Sequence, residues 1–228
     1  MKIKILGTRG EIKVSAPKHS NHSGILADGK IMFDVGEKKF LSLDPKYIFI
    51  THLHPDHAFF VRNWEKFDRP FYAPEKYELA GNGQVFNKKI NIVSCKITSI
   101  PTIHSIKVKS QGYLIEKNQK RILYTGDLIW IDKKYHKLLK DLDLVITEAS
   151  FYQTGGVVRK SRDGRIFGHT GVPNLTKLFS GFTKKIIFVH FGSWAYKNMR
   201  ETRHAISELG KTYGVDAILG YDGLELNL

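Results

Sequence analysis

The chain has 228 residues, of which 42% are hydrophobic, and a formal net charge of +14 at pH 7. This composition suits a globular domain with a substantial core, and no linker-like, low-complexity or repeated segment divides it. No apolar stretch approaches the roughly 18 residues of a membrane-spanning helix, and the single cysteine, Cys95, excludes an internal disulfide. We therefore expect one domain over residues 1–228.

The amino-terminal segment and the charge bear on location and partners. Residues 2–6 resemble a strand and not a signal peptide, so we expect a cytoplasmic protein that does not contact membranes. The positive charge favours an anionic partner, such as RNA or another nucleotide phosphodiester. A solvated lysine-rich surface is the alternative explanation. The oligomeric state is open, with a homodimer among the options.

Apolar alternation and turn residues predict mostly strands in the first half of the chain. Asp28-Gly29 separates two apolar runs and predicts a tight hairpin, because both residues tolerate positive φ. The predicted strands here span residues 2–6, 23–26, 30–33, 47–50, 90–93, 96–100, 112–115 and 121–124, and a helix is predicted over 58–66.

The second half alternates predicted helices with predicted strands. Helical periodicity covers residues 133–139, 172–179 and 199–213, and strands are predicted over 144–147, 186–189, 217–219 and 221–226. Such alternation indicates mixed sheets with helices outside them, an α/β (α+β) chain.

A dense group of possible metal ligands, Thr51-His52-Leu53-His54-Pro55-Asp56-His57, follows the predicted strand 47–50. Successive side chains of an extended chain alternate faces, so His52 and His54 can bind one metal together. Pro55 allows the chain to bend, so that Asp56 and His57 approach from another direction. This pattern favours two adjacent metals over a surface turn that merely carries polar residues.

The segment resembles the His-x-His-x-Asp-His signature of the metallo-β-lactamase superfamily. The resemblance implies a four-layer αββα sandwich of two mixed β-sheets, with metals at one edge between the sheets. In family order, the remaining ligands match a histidine after the strand 96–100, an aspartate in a Thr-Gly-Asp turn and a histidine after the strand 186–189. By this resemblance, one metal would be held by His52, His54 and His104, the other by Asp56, His57 and His190, and both by a bridging Asp127.

The cofactors implied are two divalent metal ions per chain. Imidazole-rich ligation favours zinc, and the mixed ligand set also accepts manganese or iron. Two such ions lower the pKa of a shared water from about 15.7 towards 7 and hold a bridging hydroxide against the substrate. By analogy, Asp56 would both bind metal and accept a hydrogen bond from this hydroxide.

Two polar residues outside the ligand set, Glu148 and His169, are candidates for catalysis. A carboxylate that orients an imidazole and raises its pKa makes a general acid. Taken alone, a Glu and a His at distant positions are more often unrelated, and Gly168-His169-Thr170 is also a possible helix cap. However, a Glu after the bridging Asp and a Gly-His-Ser/Thr segment resemble the ribonuclease Z branch, where they are paired in catalysis on phosphodiesters.

Three arginines lie in a glycine-containing segment between Glu148 and His169. We expect Arg159, Arg162 and Arg165 to lie near the mouth of the site and to bind substrate phosphate, because the guanidinium group binds phosphate with two hydrogen bonds. A plain mobile loop is the alternative.

The stretch between His104 and Asp127 is too short for the arm that clamps transfer RNA in ribonuclease Z. The sequence therefore favours an armless phosphodiesterase that acts on nucleic acid, as a nuclease, or on a smaller nucleotide phosphodiester. One alternative is a hydrolase of a small-molecule ester, lactone or β-lactam. Another is a non-catalytic, basic nucleic-acid-binding domain with structural metals.

Overall fold

Seven strands form the first β-sheet of the computed structural model, which describes residues 1–228. In spatial order they are β16 (Glu225–Asn227), β1 (Lys2–Gly7), β2 (Gly24–Ala27), β3 (Ile31–Phe33), β4 (Tyr47–Phe49), β5 (Phe71–Ala73) and β6 (Gly83–Val85). Between β2 and β3 the chain turns at Asp28 and Gly29, whose φ angles are 49° and 68°. These positive values are those that the predicted tight hairpin requires.

The second sheet also has seven strands. In spatial order they are β15 (Asp216–Leu219), β14 (Lys185–Phe191), β11 (Leu144–Ala149), β10 (Lys120–Tyr124), β9 (Gln111–Lys117), β8 (Cys95–Pro101) and β7 (Lys89–Ile92). Strands β10, β11, β14 and β15 are parallel, and the other pairs are antiparallel. Every residue of β11 is buried, as expected for a parallel strand that is covered on both faces.

The core lies between the two sheets. Ile5 and Phe33 from the first sheet and Tyr113 and Ile146 from the second belong to one buried cluster. Phe33 and Tyr113 have ring centroids 5.3 Å apart, which joins the facing sheets through aromatic contact. This packing confirms the predicted sandwich of two mixed sheets.

Helices cover the outer face of the second sheet. They are α1 (Lys133–His136), α2 (Val172–Phe179) and α3 (Met199–Thr212). Leu175 and Phe179 of α2 and Ile206 of α3 are buried in a second cluster with residues of the sheet, so the apolar stripe that predicted each helix is the face that packs. None of the helices has the length and apolar character needed to cross a membrane.

The outer face of the first sheet is covered by short 3₁₀ turns and irregular chain, at Lys38–Leu43 and Phe59–Val61. The helix predicted over residues 58–66 is therefore wrong beyond a single turn. The Phe59 N–H donates to the carbonyl of Val35 at 2.9 Å, and Trp64 has a left-handed φ of 53°. Tertiary hydrogen bonding and this backbone reversal prevent a continuous helix, although Phe60 still reaches the third buried cluster.

The remaining strands, β12 (Val157–Lys160) and β13 (Ile166–His169), form a separate antiparallel hairpin. The Gly168 N–H donates to the carbonyl of His104 at 2.7 Å, which fixes the hairpin to the segment after β8. The glycine-containing segment with the three arginines, for which the sequence also allows a plain mobile loop, is thus largely an ordered hairpin. Its strands pair residues 6 to 12 positions apart, from Lys160 with Ile166 to Val157 with His169.

Candidate metal centre and active site

The seven predicted metal ligands come together at one edge of the sandwich. Six of them lie beyond the carboxyl ends of β4, β8 and β10, and the seventh, His190, is the second-to-last residue of β14. Carboxyl ends of parallel strands meet at one edge, which is where α/β sheets bind ligands. The histidine, aspartate and glutamate groups that lie close enough to share an ion include both predicted triads, one of His52, His54 and His104 and the other of Asp56, His57 and His190.

The first triad consists of three histidines with converging nitrogens. His54 Nδ1 lies 3.0 Å from His52 Nε2 and 3.3 Å from His104 Nε2. All three residues are buried or half-buried. A neutral imidazole can donate only one hydrogen bond, so the three converging nitrogens cannot all be paired by hydrogen bonds among themselves. A cation at the point where their lone pairs converge would satisfy all three.

The second triad contains one carboxylate and two imidazoles. His190 Nε2 lies 2.8 Å from Asp56 Oδ2, and His57 Nε2 lies 3.9 Å from the same oxygen. These atoms are buried. A buried carboxylate with two imidazole nitrogens is again a ligand set of the zinc type.

Asp127 lies between the triads and directs one carboxylate oxygen to each. Its Oδ2 is 3.7 Å from His52 Nε2 and 3.8 Å from His104 Nε2, whereas Oδ1 is 3.3 Å from His57 Nε2 and 3.4 Å from His190 Nε2. Asp127 Oδ1 is buried without a hydrogen-bond partner. A buried, unpaired carboxylate oxygen is costly unless a cation accompanies it, so this position fits a ligand shared by two metals.

Hydrogen bonds on the opposite side of the rings orient three of the predicted ligand histidines. His57 Nδ1 lies 2.7 Å from Asp34 Oδ2, His104 Nδ1 lies 3.0 Å from the Gly168 carbonyl, and His190 Nδ1 lies 3.0 Å from Ser150 Oγ. Each contact leaves Nε2 facing the centre. Metal-binding histidines are usually held in this way by a carboxylate, a carbonyl or a hydroxyl.

The electrostatics of the two triads differ. Burial lowers the pKa of His52, His54 and His104, that of His54 to about 4, so these imidazoles are neutral at pH 7 and their lone pairs are free to bind metal. Burial also opposes the charged forms of His57 and His190, but Asp127 raises the pKa of both. The carboxylates thus favour the protonated forms of the two imidazoles in the second triad, and they would stabilise a bound cation in the same way.

The backbone is constrained where it presents Asp127 and His190. Gly126 has a φ of 59°, and a Cβ there would lie 2.7 Å from the side chain of Thr51, so only glycine fits before Asp127. His190 has a φ of 51° and lies at a shift of register between β11 and β14. Such a bulge turns a side chain away from the ordinary strand direction, here into the metal centre.

Glu148 and His169, predicted from the resemblance, are in direct contact. His169 Nδ1 lies 2.9 Å and 2.8 Å from the two oxygens of Glu148, and the Leu128 N–H donates to Glu148 Oε1 at 2.7 Å. Burial alone would lower the pKa of His169, but Glu148, and then Asp127 and Asp56, raise it to about 9. The carboxylate therefore holds the imidazole in one orientation and favours its protonated form.

A cavity of about 280 Å³ opens onto this group. His54, Asp56, Asp127, His169 and His190 line it together with Ser150, Phe151 and the backbone at Gly10. His169 Nε2 makes no hydrogen bond to the protein, and the side chain is 22% exposed. A group bound in the cavity can therefore receive a proton from His169.

The three predicted phosphate-binding arginines do not line this cavity. Arg159 lies on β12, Arg162 at the tip of the hairpin, and Arg165 forms an ion pair with Asp163, with Nη2 2.7 Å from Oδ2. All three are exposed. They are placed to meet a substrate that extends beyond the cavity, and their role in binding stays a prediction.

Sequence reasoning missed residues that support the ligands. Asp34 is fully buried and accepts hydrogen bonds from Tyr124 Oη at 2.7 Å and from the Thr51 N–H at 2.7 Å, in addition to its contact with His57. Ser150 joins two functional histidines, because its Oγ lies 3.2 Å from His169 Nδ1 and 3.0 Å from His190 Nδ1. The alternation of β11 was an available signal, since it places Ser150 on the same side as Glu148.

Comparison with known proteins adds to this geometry. Residues 39–191 match the family model for the beta-lactamase superfamily domain. The metallo-beta-lactamase fold protein YhfI from Bacillus subtilis aligns with 99% of this chain and 98% of its own, at 17% identity and a TM-score of 0.72. A diphosphatase of the PhnP family aligns over 99% and 96%, at 18% identity and a TM-score of 0.69. The short form of human tRNase Z aligns over 100% and 99%, at 18% identity and a TM-score of 0.65. No curated protein matches the sequence.

Proposed function

This chain belongs to the β-lactamase superfamily and has the fold of its metal-dependent hydrolases, and we propose that its substrate is a phosphodiester of nucleic acid or of a nucleotide. The observation that carries this proposal is the contact of His169 Nδ1 with Glu148, 2.8 Å away, at the wall of the cavity that the predicted metal ligands line. The pair supplies a proton donor, which the departing oxygen of an ordinary phosphodiester needs.

Two divalent ions are the proposed cofactors. His52, His54 and His104 would hold one, Asp56, His57 and His190 the other, and Asp127 would bind both through its separate oxygens. When bound, such ions supply a nucleophile at neutral pH and stabilise the negative charge that develops on a phosphoryl oxygen. Zinc suits this ligand set best, and a zinc-bound PqqB from Methylobacterium extorquens is among the solved structures of similar fold, with a TM-score of 0.65.

The protein's own groups would then handle the leaving group. In the protonated ring, Nδ1–H donates to Glu148, and Nε2–H is left to donate to a group bound in the cavity, which His169 lines. As the P–O bond to the leaving group breaks, the proton on Nε2 would pass to the departing oxygen, which leaves as an alcohol. Glu148 would stabilise the imidazolium before this transfer and keep the ring in position throughout.

Charge and fold comparison support a phosphate-containing substrate. The net charge of +14 attracts polyanions at low salt. A diphosphatase and a tRNase Z are among the structures with this fold. Both observations favour a phosphodiester over a neutral lactone or β-lactam.

A substrate panel tests this proposal. We expect metal-loaded protein to hydrolyse bis(p-nitrophenyl) phosphate, a 2′,3′-cyclic nucleotide or single-stranded RNA with a kcat/KM at least about 100-fold above that for a homoserine lactone or nitrocefin. Each substrate should be measured with zinc and with manganese. Preferential hydrolysis of the lactone or of nitrocefin would make an ester or amide hydrolase the correct assignment. Failure to turn over any substrate, with two metals bound, would favour the non-catalytic alternative.

A further inference from the structure

A second, larger groove lies near the cavity that the predicted metal ligands line. It has a volume of about 530 Å³ and runs between the loop that joins β8 to β9 and the tip of the β12–β13 hairpin. We name it the basic groove and define it by Thr102, Ser105, Lys107, Lys109, Ser110 and Arg165. We propose that the basic groove binds the backbone phosphates of single-stranded nucleic acid whose scissile bond lies in the cavity, an inference that rests on the proposed function.

The groove and the cavity share no lining residue, but neighbouring residues of the chain connect their walls. Ser105 directly follows His104, and Thr102 Oγ1 donates to the Asp127 carbonyl at 3.4 Å. Strand β13 begins after Arg165 and ends at His169, a span of four residues and therefore about 13 Å. A chain of a few nucleotides that enters the cavity would thus extend into the groove.

Charge favours a polyanion in this place. Lys107 and Lys109 are exposed, and neither ammonium group forms an ion pair. Glu75 also lines the groove and accepts a hydrogen bond from the Lys109 backbone N–H at 3.1 Å, so its one negative charge stands against the positive charges of Lys107 and Lys109. The neighbouring hairpin adds further exposed cations, Arg159, Lys160 and Arg162, and one carboxylate, Asp163, that pairs with Arg165.

Lysine and arginine side chains that have no carboxylate partner can contact phosphates without breaking an existing ion pair. Most nucleic-acid contacts of this kind go to phosphate, from lysine and arginine side chains, hydroxyl groups and backbone N–H groups. Ser105 adds a hydroxyl group whose Oγ accepts from the Lys107 and Val108 N–H groups and which can still donate, whereas Ser110 Oγ already donates to the Thr102 carbonyl at 2.9 Å. The groove carries no aromatic side chain, so phosphate contacts and not base stacking would supply the binding.

The test uses a pair of matched double variants. Lys107→Gln/Lys109→Gln removes two charges from the groove. The control, Lys30→Gln/Lys46→Gln, removes two charges from exposed lysines that lie side by side, since the Lys46 N–H donates to the Lys30 carbonyl at 2.9 Å. These lysines lie at the ends of β3 and β4 that are opposite to the proposed metal centre. Binding is measured by fluorescence anisotropy with metal-loaded protein and a labelled phosphorothioate oligouridylate of about twelve nucleotides, which resists hydrolysis.

We expect the groove variant to bind this probe about tenfold more weakly at about 50 mM salt, and the slope of log K against log salt to become shallower by about 1.4, the value for two phosphate contacts on a single strand. The control variant should change binding by less than about twofold. Equal losses in the two variants, or tighter binding of a polyglutamate of the same length, would overturn the proposal; the second result would indicate an acidic protein partner.

Kinetics separate this inference from the proposed function. The ratio of kcat/KM for oligouridylate to that for bis(p-nitrophenyl) phosphate should fall about tenfold in the groove variant, because only the longer substrate reaches the groove. Hydrolysis of both substrates with an unchanged ratio would overturn the groove and leave the phosphodiesterase intact. Absence of all hydrolysis, with groove-dependent binding retained, would overturn the phosphodiesterase and leave the groove as a binding surface.

Discussion

An Asp127→Asn variant is expected to lose about 1,000-fold or more in kcat/KM on every substrate and to bind fewer than two metals per chain. The substitution preserves the shape of the side chain but removes the charge that both triads face through separate oxygens, at distances of 3.3–3.8 Å. Loss of one metal removes several kcal/mol of transition-state stabilisation, and each 1.36 kcal/mol is a factor of about ten in rate.

Elemental analysis and turnover of bis(p-nitrophenyl) phosphate measure the two effects together. Asp132→Asn is the matched control, because Asp132 is an exposed carboxylate on the same connection that caps α1 by accepting from the Lys134 N–H and forms an exposed ion pair with the Lys134 side chain. Metal binding also supports the fold, so the Asp127 variant should gain less thermal stability than the wild type when zinc is added. Two metals and full turnover in the Asp127 variant would rule out a bridging role.

The His169→Ala variant is expected to lose about 100-fold or more on a nucleotide phosphodiester and little on bis(p-nitrophenyl) phosphate. A nucleoside alkoxide must be protonated as it leaves, whereas nitrophenolate is a stable anion that leaves without a proton. Glu148→Gln should show the same dependence on leaving group but a smaller loss, because Glu148 orients the ring and does not itself transfer the proton.

Two measurements distinguish the loss of a proton donor from a change in the structure of the site. Metal content should stay unchanged in both variants, since neither residue belongs to the two proposed triads. His169 and Glu148 each lie close enough to Asp127 to share an ion, so loss of metal in either variant would place that residue among the ligands. His204→Ala, an exposed histidine on α3, is the control for loss of an imidazole and should retain wild-type rates on both substrates. Equal losses of His169→Ala on the two substrates would mean that the pair shapes the site and does not donate a proton.

Much of the fold and the site could be predicted from the sequence because their signals are local. The turn at Asp28-Gly29, the helix α2 and the placement of His52, His54 and Asp56 after a buried strand all follow from patterns within a few residues. The order of the remaining ligands came from the family resemblance, and the structure brings all of them to one edge.

What could not be predicted depends on contacts between distant residues. Asp34 supports His57 from 23 positions away and Tyr124 from 90, so no local pattern marks its role. The segment that contains the three arginines forms an antiparallel hairpin. The Phe59 N–H donates to the Val35 carbonyl and not to a carbonyl within a helix. Tertiary partners overrode local preference in each case.

A crystal structure of zinc-loaded protein, with anomalous scattering recorded on both sides of the zinc absorption edge, decides whether two metals bind at this edge and share Asp127. We expect two anomalous peaks, one in contact with His52, His54 and His104 and the other with Asp56, His57 and His190. Asp127 should contact both. A single peak in either triad, or peaks at other residues, would rule out the shared two-metal site.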